Sequence, residues 1–145
     1  MRIYQVYLIE DEFATHYFGR ERMFFQLFDE YKNAKGELRK ILEKQIDYIT
    51  KSIPNLRLHQ YIYQQLQRKK DFRIENGIYY IENRKQGSAK LELFEKALLL
   101  QSFGSYEAET LFFEVLRKSE TSFIAIDLEN KRYGWLRPIK ERKFV

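Results

Sequence analysis

Two histidines, His16 and His59, are the side chains best suited to acid–base work or metal ligation near neutral pH, and they stand 43 positions apart. Neither belongs to a metal-ligand spacing. The chain has no cysteine, which removes a thiolate zinc site, a thiol nucleophile and a disulfide framework together. There is no glycine-rich phosphate loop and no Gly-x-Ser-x-Gly elbow. Aspartates and glutamates are scattered, and no two are isolated in apolar surroundings. No nucleophile, base or metal site can be named, so an enzyme is not expected, and neither is a cofactor. His16 reads as a solvated or satisfied side chain.

The residues that stand out are suited to recognition. Phe13 and Tyr17 form an i, i+4 pair, and Arg20 lies one turn on. Tyr and Arg are enriched in interface hot spots. Acidic residues 10–12 and Arg20 place solvent at this end of the segment, so core packing and partner contact both stay open for Phe13 and Tyr17. Gln45 falls in the middle of an apolar line formed by Leu38, Leu42 and Ile49. A buried amide costs free energy unless its hydrogen bonds are met. Either it is a satisfied core glutamine, or this face is open and Gln45 meets a partner.

The elements that position these residues follow from periodicity. Residues 12–31 hold seven aromatic side chains in one expected helix, reaching to about Asn33. At about 100° per residue, Phe13, Tyr17, Phe24, Phe28 and Tyr31 share a face. Ala14, Phe18 and Phe25 widen it to roughly half the circumference, whereas docking on a core needs a stripe of only about 100°. Phe24, Leu27 and Phe28 read as core. Gly19 interrupts the pattern and allows a kink or break there. A second helix is expected over 37–51, ended by Pro54, and a weaker third over 55–70.

Residues 3–9 are apolar in both alternating sets, the mark of an interior strand. Asn76-Gly77 signals a type I′ hairpin, and one or two more strands are expected within 89–103. A helix follows through Lys118, then a buried strand over 123–126 that turns into an antiparallel partner at 133–136. Trp135 reads as core. The order is not a regular βαβ alternation. The expected fold is therefore α+β, a mostly antiparallel sheet packed with about four helices. Residues 1–145 are expected to form a single domain.

An aromatic share of 17 %, with only 6 Gly and 2 Pro, suits a packed core rather than disordered linkers. The N-terminus lacks the apolar region of a signal peptide. The longest aliphatic run covers only 97–100, far short of a bilayer span. The expectation is a cytoplasmic protein without a membrane partner. Net charge is +5, unevenly spread: 1–31 is acidic, whereas 32–73 holds 11 basic and 4 acidic side chains. A basic balance raises the prospect of nucleic acid. Lys35, Lys40 and Lys44 interleave with Glu37 and Glu43, however, as on any solvated helix face. Direct nucleic-acid binding is thus not expected; a basic module acting directly on DNA is the rival reading. The tail at 140–143 reads as a solvated terminus.

Four segments carry a resemblance: YLIEDEFATHYFGR at 7–20, EKQIDYIT at 43–50, YEAETLFFEVL at 106–116 and RYGWLRPIKERKFV at 132–145. The chain resembles the sporulation inhibitor of replication (SirA) family of Bacillus-type spore formers, loosely over about 55–103. The resemblance implies a protein that binds the N-terminal domain of the replication initiator DnaA and blocks new rounds of replication as cells commit to sporulation. It implies no small-molecule substrate. It also implies a binding surface on the first two helices, which at matching positions includes Phe13, Tyr17, Gln45 and Tyr48, with Arg20 adjoining. Pro138 falls in a matching segment, where fold support and contact both stay open.

Overall fold

The computed structural model describes residues 1–139, so the basic tail at 140–143 lies outside the described residues. The chain opens with strand β1 (Arg2–Leu8) and helices α1 (Asp11–His16), α2 (Arg22–Asn33), α3 (Gly36–Ile49) and α4 (Asn55–Leu66). Strands β2 (Phe72–Glu75), β3 (Ile78–Asn83), β4 (Gly87–Leu93) and β5 (Leu98–Phe103) follow as a meander. Helix α5 (Glu107–Ser119) then leads into β6 (Phe123–Asp127) and β7 (Arg132–Trp135). All seven strands form one sheet in the order β2-β3-β4-β5-β1-β6-β7, and every pair is antiparallel. The expected α+β class is what the structure has.

Strand β1 is apolar on both faces because it lies inside the sheet. Val6 faces Leu98 of β5 on one side and Ala125 of β6 on the other. Alternation then divides its side chains between two cores. Tyr4, Val6 and Leu8 join Leu58, Ile62 and Leu66 of α4 and Phe112 and Leu116 of α5 on one face. Ile9 joins Ala14, Phe24, Phe25, Phe28, Ile124 and Ile126 on the other, where the α1–α3 layer packs. Within the first core, Glu109 of α5 is buried and paired, as a buried carboxylate must be. It accepts from Arg2 Nε at 2.7 Å and from Ser102 Oγ at 3.0 Å.

Among the described residues there are five helices rather than about four, because the expected single helix over 12–33 is two. Helix α1 ends at His16, and α2 starts at Arg22. Gly19, between them, has φ +80°, which any other residue reaches only with strain. The acidic start of α1 ties the helix to the rest of the fold. Glu10 makes no side-chain capping bond; Asp11 instead accepts from Ser122 Oγ at 2.7 Å and lies 3.3 Å from Lys51 Nζ. The Asn76-Gly77 hairpin forms as expected, joining β2 to β3 with positive φ at both residues.

Candidate functional site

Helix α3 is sewn to the end of β1 rather than laid on the sheet. Glu10 N donates to Ile49 O at 2.8 Å, Lys51 N donates to Leu8 O at 2.7 Å, and Ile9 forms a bridge with Thr50. The helix is thereby held at one end while its flank rests on α2. Of its residues only Leu42 is buried. Ile46 and Ile49 are half-buried against the second core, and Leu38, Ile41, Gln45 and Tyr48 face solvent.

Between α1, α2 and α3 lies an open depression of about 440 Å³. Phe13 and Tyr17 line it from α1 and its end, and Met23, Phe24, Gln26, Leu27 and Glu30 from α2. Gln45, Tyr48 and Ile49 of α3 complete it. The aromatic side chains brace one another at its edges. Phe13 meets Tyr48 edge-on with ring centroids 5.2 Å apart, and Tyr17 meets Phe24 edge-on at 5.8 Å. Phe24 in turn meets Trp135 at 5.6 Å, and Trp135 Nε1 donates to Glu21 Oε1 at 3.2 Å. Trp135 is thus half-buried support behind the depression.

Four of the six residues singled out in the sequence come together here: Phe13, Tyr17, Gln45 and Tyr48. Phe13 and Tyr17 are half-buried and remain in reach of solvent. Gln45 is exposed, so it is not a core glutamine. Tyr48 is 73 % exposed, which makes it an apolar surface its own chain leaves almost bare. Arg20 does not line the depression; it is exposed in the connection from α1 to α2, where its N–H donates to Tyr17 O at 2.8 Å. Pro138 lies apart as well. It lines a separate cleft of about 280 Å³ with Asp11, Thr15 and Ser122. Asp11 and Thr15 are about 160° round α1 from Phe13 and Tyr17 at 100° per residue.

Sequence reasoning missed Met23, Gln26 and Glu30, which form the α2 wall. Their i, i+3, i+7 spacing is a legible stripe, but its phase relative to Phe13 and Tyr17 is set by the break at Gly19. The chemistry of the lining is that of adhesion. Apolar and aromatic surface dominates, and two amides and the Glu30 carboxylate supply polar edges. His16 is exposed beside Tyr17, and no group of three or more His, Cys, Asp or Glu able to hold a metal occurs among the described residues. No helix among them is long and apolar enough to cross a membrane.

Fold and site together define a small α+β protein whose distinctive surface is an aromatic depression built by three consecutive helices. The profile of the family described as "Sporulation inhibitor of replication protein SirA" matches residues 2–140. The sporulation inhibitor of replication protein SirA of Bacillus subtilis (strain 168) is 47% identical over 147 residues, covering 99% of this chain and 99% of that protein. The chain therefore belongs to the SirA family of sporulation inhibitors of replication.

Proposed function

We propose that this protein inhibits the initiation of chromosome replication during sporulation by binding the N-terminal domain of DnaA, and that it does so by occlusion without catalysis. Phe13 and Tyr17 are the apolar anchors. Gln45 satisfies polar groups at the seam, and Tyr48 widens the contact. Arg20 and Pro138 are flanking positions in this reading. The observation that carries it is the exposure of Tyr48 and Gln45 beside half-buried Phe13 and Tyr17 around one depression. Large apolar surface left uncovered on a soluble fold marks an interaction site more often than chance. Membership of a family whose named relative inhibits replication supplies the setting.

Specific interfaces commonly bury about 1,200–2,000 Å² in total, and a few central residues each contribute 2 kcal/mol or more. Covering the bound face of DnaA interferes with its assembly at the origin. The test is calorimetric titration of the purified chain with the isolated DnaA N-terminal domain. Heat at a defined stoichiometry is expected for the wild type, and at least 30-fold weaker binding for Tyr17→Ala, the equivalent of about 2 kcal/mol. Tyr17→Ala should keep a cooperative thermal transition. No heat with the wild type, or a Tyr17→Ala chain that is unfolded, overturns the assignment.

A further inference from the structure

The depression leaves one strongly charged feature of the molecule unused. Arg68, Lys69 and Lys70 follow α4, and Arg84 and Lys85 sit in the turn between β3 and β4. In sequence the two groups are well separated, but the fold stitches them together. Glu82 N donates to Asp71 O at 3.1 Å, and Asn83 Nδ2 donates to Asp71 Oδ2 at 3.1 Å. The turn itself is held by Asn83 Oδ1, which accepts from Lys85 N at 2.8 Å and Gln86 N at 3.1 Å. Lys69 O accepts from Phe72 N at 3.2 Å, which fixes the end of the α4 segment to the start of β2.

The result is a platform of five exposed cations on a braced backbone. None of the five takes part in an ion pair among the described residues. Two exposed carboxylates, Asp71 and Glu82, adjoin these residues in sequence. Asp71 accepts from Asn83, and Glu82 is bound to Arg73 at 2.9 Å. Gathering like charges on one patch costs self-repulsion. The interleaved Lys and Glu of α3 argue against nucleic acid on that helix, but they say nothing about this platform at the other end of the sheet.

We propose that the platform is a sequence-independent docking surface for the phosphate backbone of duplex DNA. Five cationic side chains on hydrogen-bonded turns suit a lattice that presents one negative charge per roughly 1.7 Å of axis. Contacts of this kind position a protein without reading bases. An acidic protein partner fits less well, because protein interfaces are organised around buried apolar or aromatic anchors. The turn residues Arg68, Lys69, Lys70, Asp71, Arg84, Lys85 and Gln86 are themselves polar; an apolar cleft of about 570 Å³ with Ile81, Tyr106 and Leu111 adjoins them at Asp71 and Gln86, and none of the five cations lines it. Four strand spacings, roughly 19 Å, separate β3 from β6, which lies under the α1–α3 layer. The platform and the depression therefore share no residue and lie over different parts of the sheet. This inference does not depend on which protein fills the depression.

The test is fluorescence anisotropy of a labelled 30-base-pair duplex of arbitrary sequence, titrated with the full chain between 50 and 200 mM salt. Weak binding is expected, with log K falling against log salt at a slope of about −4, since each phosphate contact contributes about −0.9. Replacing Arg68, Lys69, Lys70, Arg84 and Lys85 together by Gln should abolish most of that slope and weaken binding at least tenfold at 50 mM salt. A control in which Arg22, Lys32, Lys35, Lys40 and Lys44 become Gln removes the same charge elsewhere and should keep both. The platform variant should retain the wild-type thermal midpoint and DnaA affinity. Absence of binding at 50 mM salt overturns the proposal, and so does equal weakening in the control. Retention by phosphatidylserine vesicles but not by the duplex also overturns it, because the surface then reads a lipid headgroup instead.

Discussion

Helices α3 and α5 are nearly the same length, 14 and 13 residues, and both carry six apolar side chains with a clear stripe. They meet opposite fates. Helix α5 buries Ala108, Phe112, Val115 and Leu116 in the core it shares with α4 and the sheet. Helix α3 buries Leu42 alone and leaves Leu38, Ile41 and Tyr48 in solvent. The difference lies in what stands opposite each stripe. Helix α5 faces strands β3–β5, whose alternate residues are apolar, while α3 faces only the flank of α2 and the end of β1. An amphipathic pattern states that a face wants covering and is silent on whether its own chain covers it.

The largest expected effect lies on the sealed side. Phe112→Ala deletes a ring that is 1 % exposed and should cost about 3–5 kcal/mol of stability. Urea unfolding followed by circular dichroism should show the midpoint fall. The fraction that stays folded should still bind DnaA with unchanged affinity. Loss of affinity by the folded fraction would mean that the two halves are coupled and that the contrast between them is false.

Next comes the open side. Tyr48→Ala should weaken DnaA binding by about 2 kcal/mol, roughly 30-fold, and shift the thermal midpoint hardly at all. Calorimetric titration and differential scanning of the same preparation check both halves of that statement. Gly19→Ala sits between the two classes. Open space surrounds its Cβ position, so the cost is the backbone's, about 1–2 kcal/mol for φ +80°. Strain at this hinge also disturbs the phase between α1 and α2, and binding should weaken together with stability.

Acid should separate the regions in another way. Burial pushes the Asp127 carboxyl up, but hydrogen bonds from the side chain and backbone of Asn130 and from Arg132 outweigh it and hold it below the ordinary carboxylate value. The folded-state value is thus lower than the unfolded one. Its stabilising contribution is complete above about pH 4 and is lost as pH falls through the lowered native value. Asp11, lowered chiefly by its bond from Ser122, adds to the same trend. Thermal midpoints should be level from pH 7 to 5 and fall below 4, and Asp127→Asn should make that fall shallower.

These contrasts also mark what could be read from residues alone. The doubly apolar 3–9 and 123–126 segments announced interior strands, and Asn76-Gly77 announced its hairpin, because local patterns fix those features; that the two strands are neighbours was not legible. The break at Gly19 was visible only as a permission. Whether a helix uses it depends on Phe24 and Phe28 packing under Tyr7 and Trp135, contacts that span most of the chain. The same holds for the site. Phe13 with Tyr17 was legible as a pair and Gln45 as a polar residue in an apolar line, while Tyr48 joined them only through the family resemblance. The α2 wall of Met23, Gln26 and Glu30 was not legible, since its orientation follows from that break. The union of Arg68–Lys70 with Arg84–Lys85 needed the β2–β3 register.

The smallest expected effect gives the sharpest separation of the two helices. Ile41 is 51 % exposed on the outer side of α3, four residues before Gln45 and seven before Tyr48. If that stripe served the protein's own core, Ile41→Ser would cost about 2 kcal/mol or more, as truncating a buried aliphatic side chain does. If it is surface, the change should stay within about 0.5 kcal/mol, because half of the side chain already meets water and Ser loses little helix propensity. A partner seated in the depression and running along α3 would cover Ile41 only at its rim, where truncation costs little affinity. Chemical denaturation and DnaA titration of Ile41→Ser should therefore both lie close to wild type, whereas Tyr48→Ala, two turns further on, shifts the second alone. A loss of stability with Ile41→Ser would move α3 to the sealed side of the comparison and leave the depression with one wall fewer.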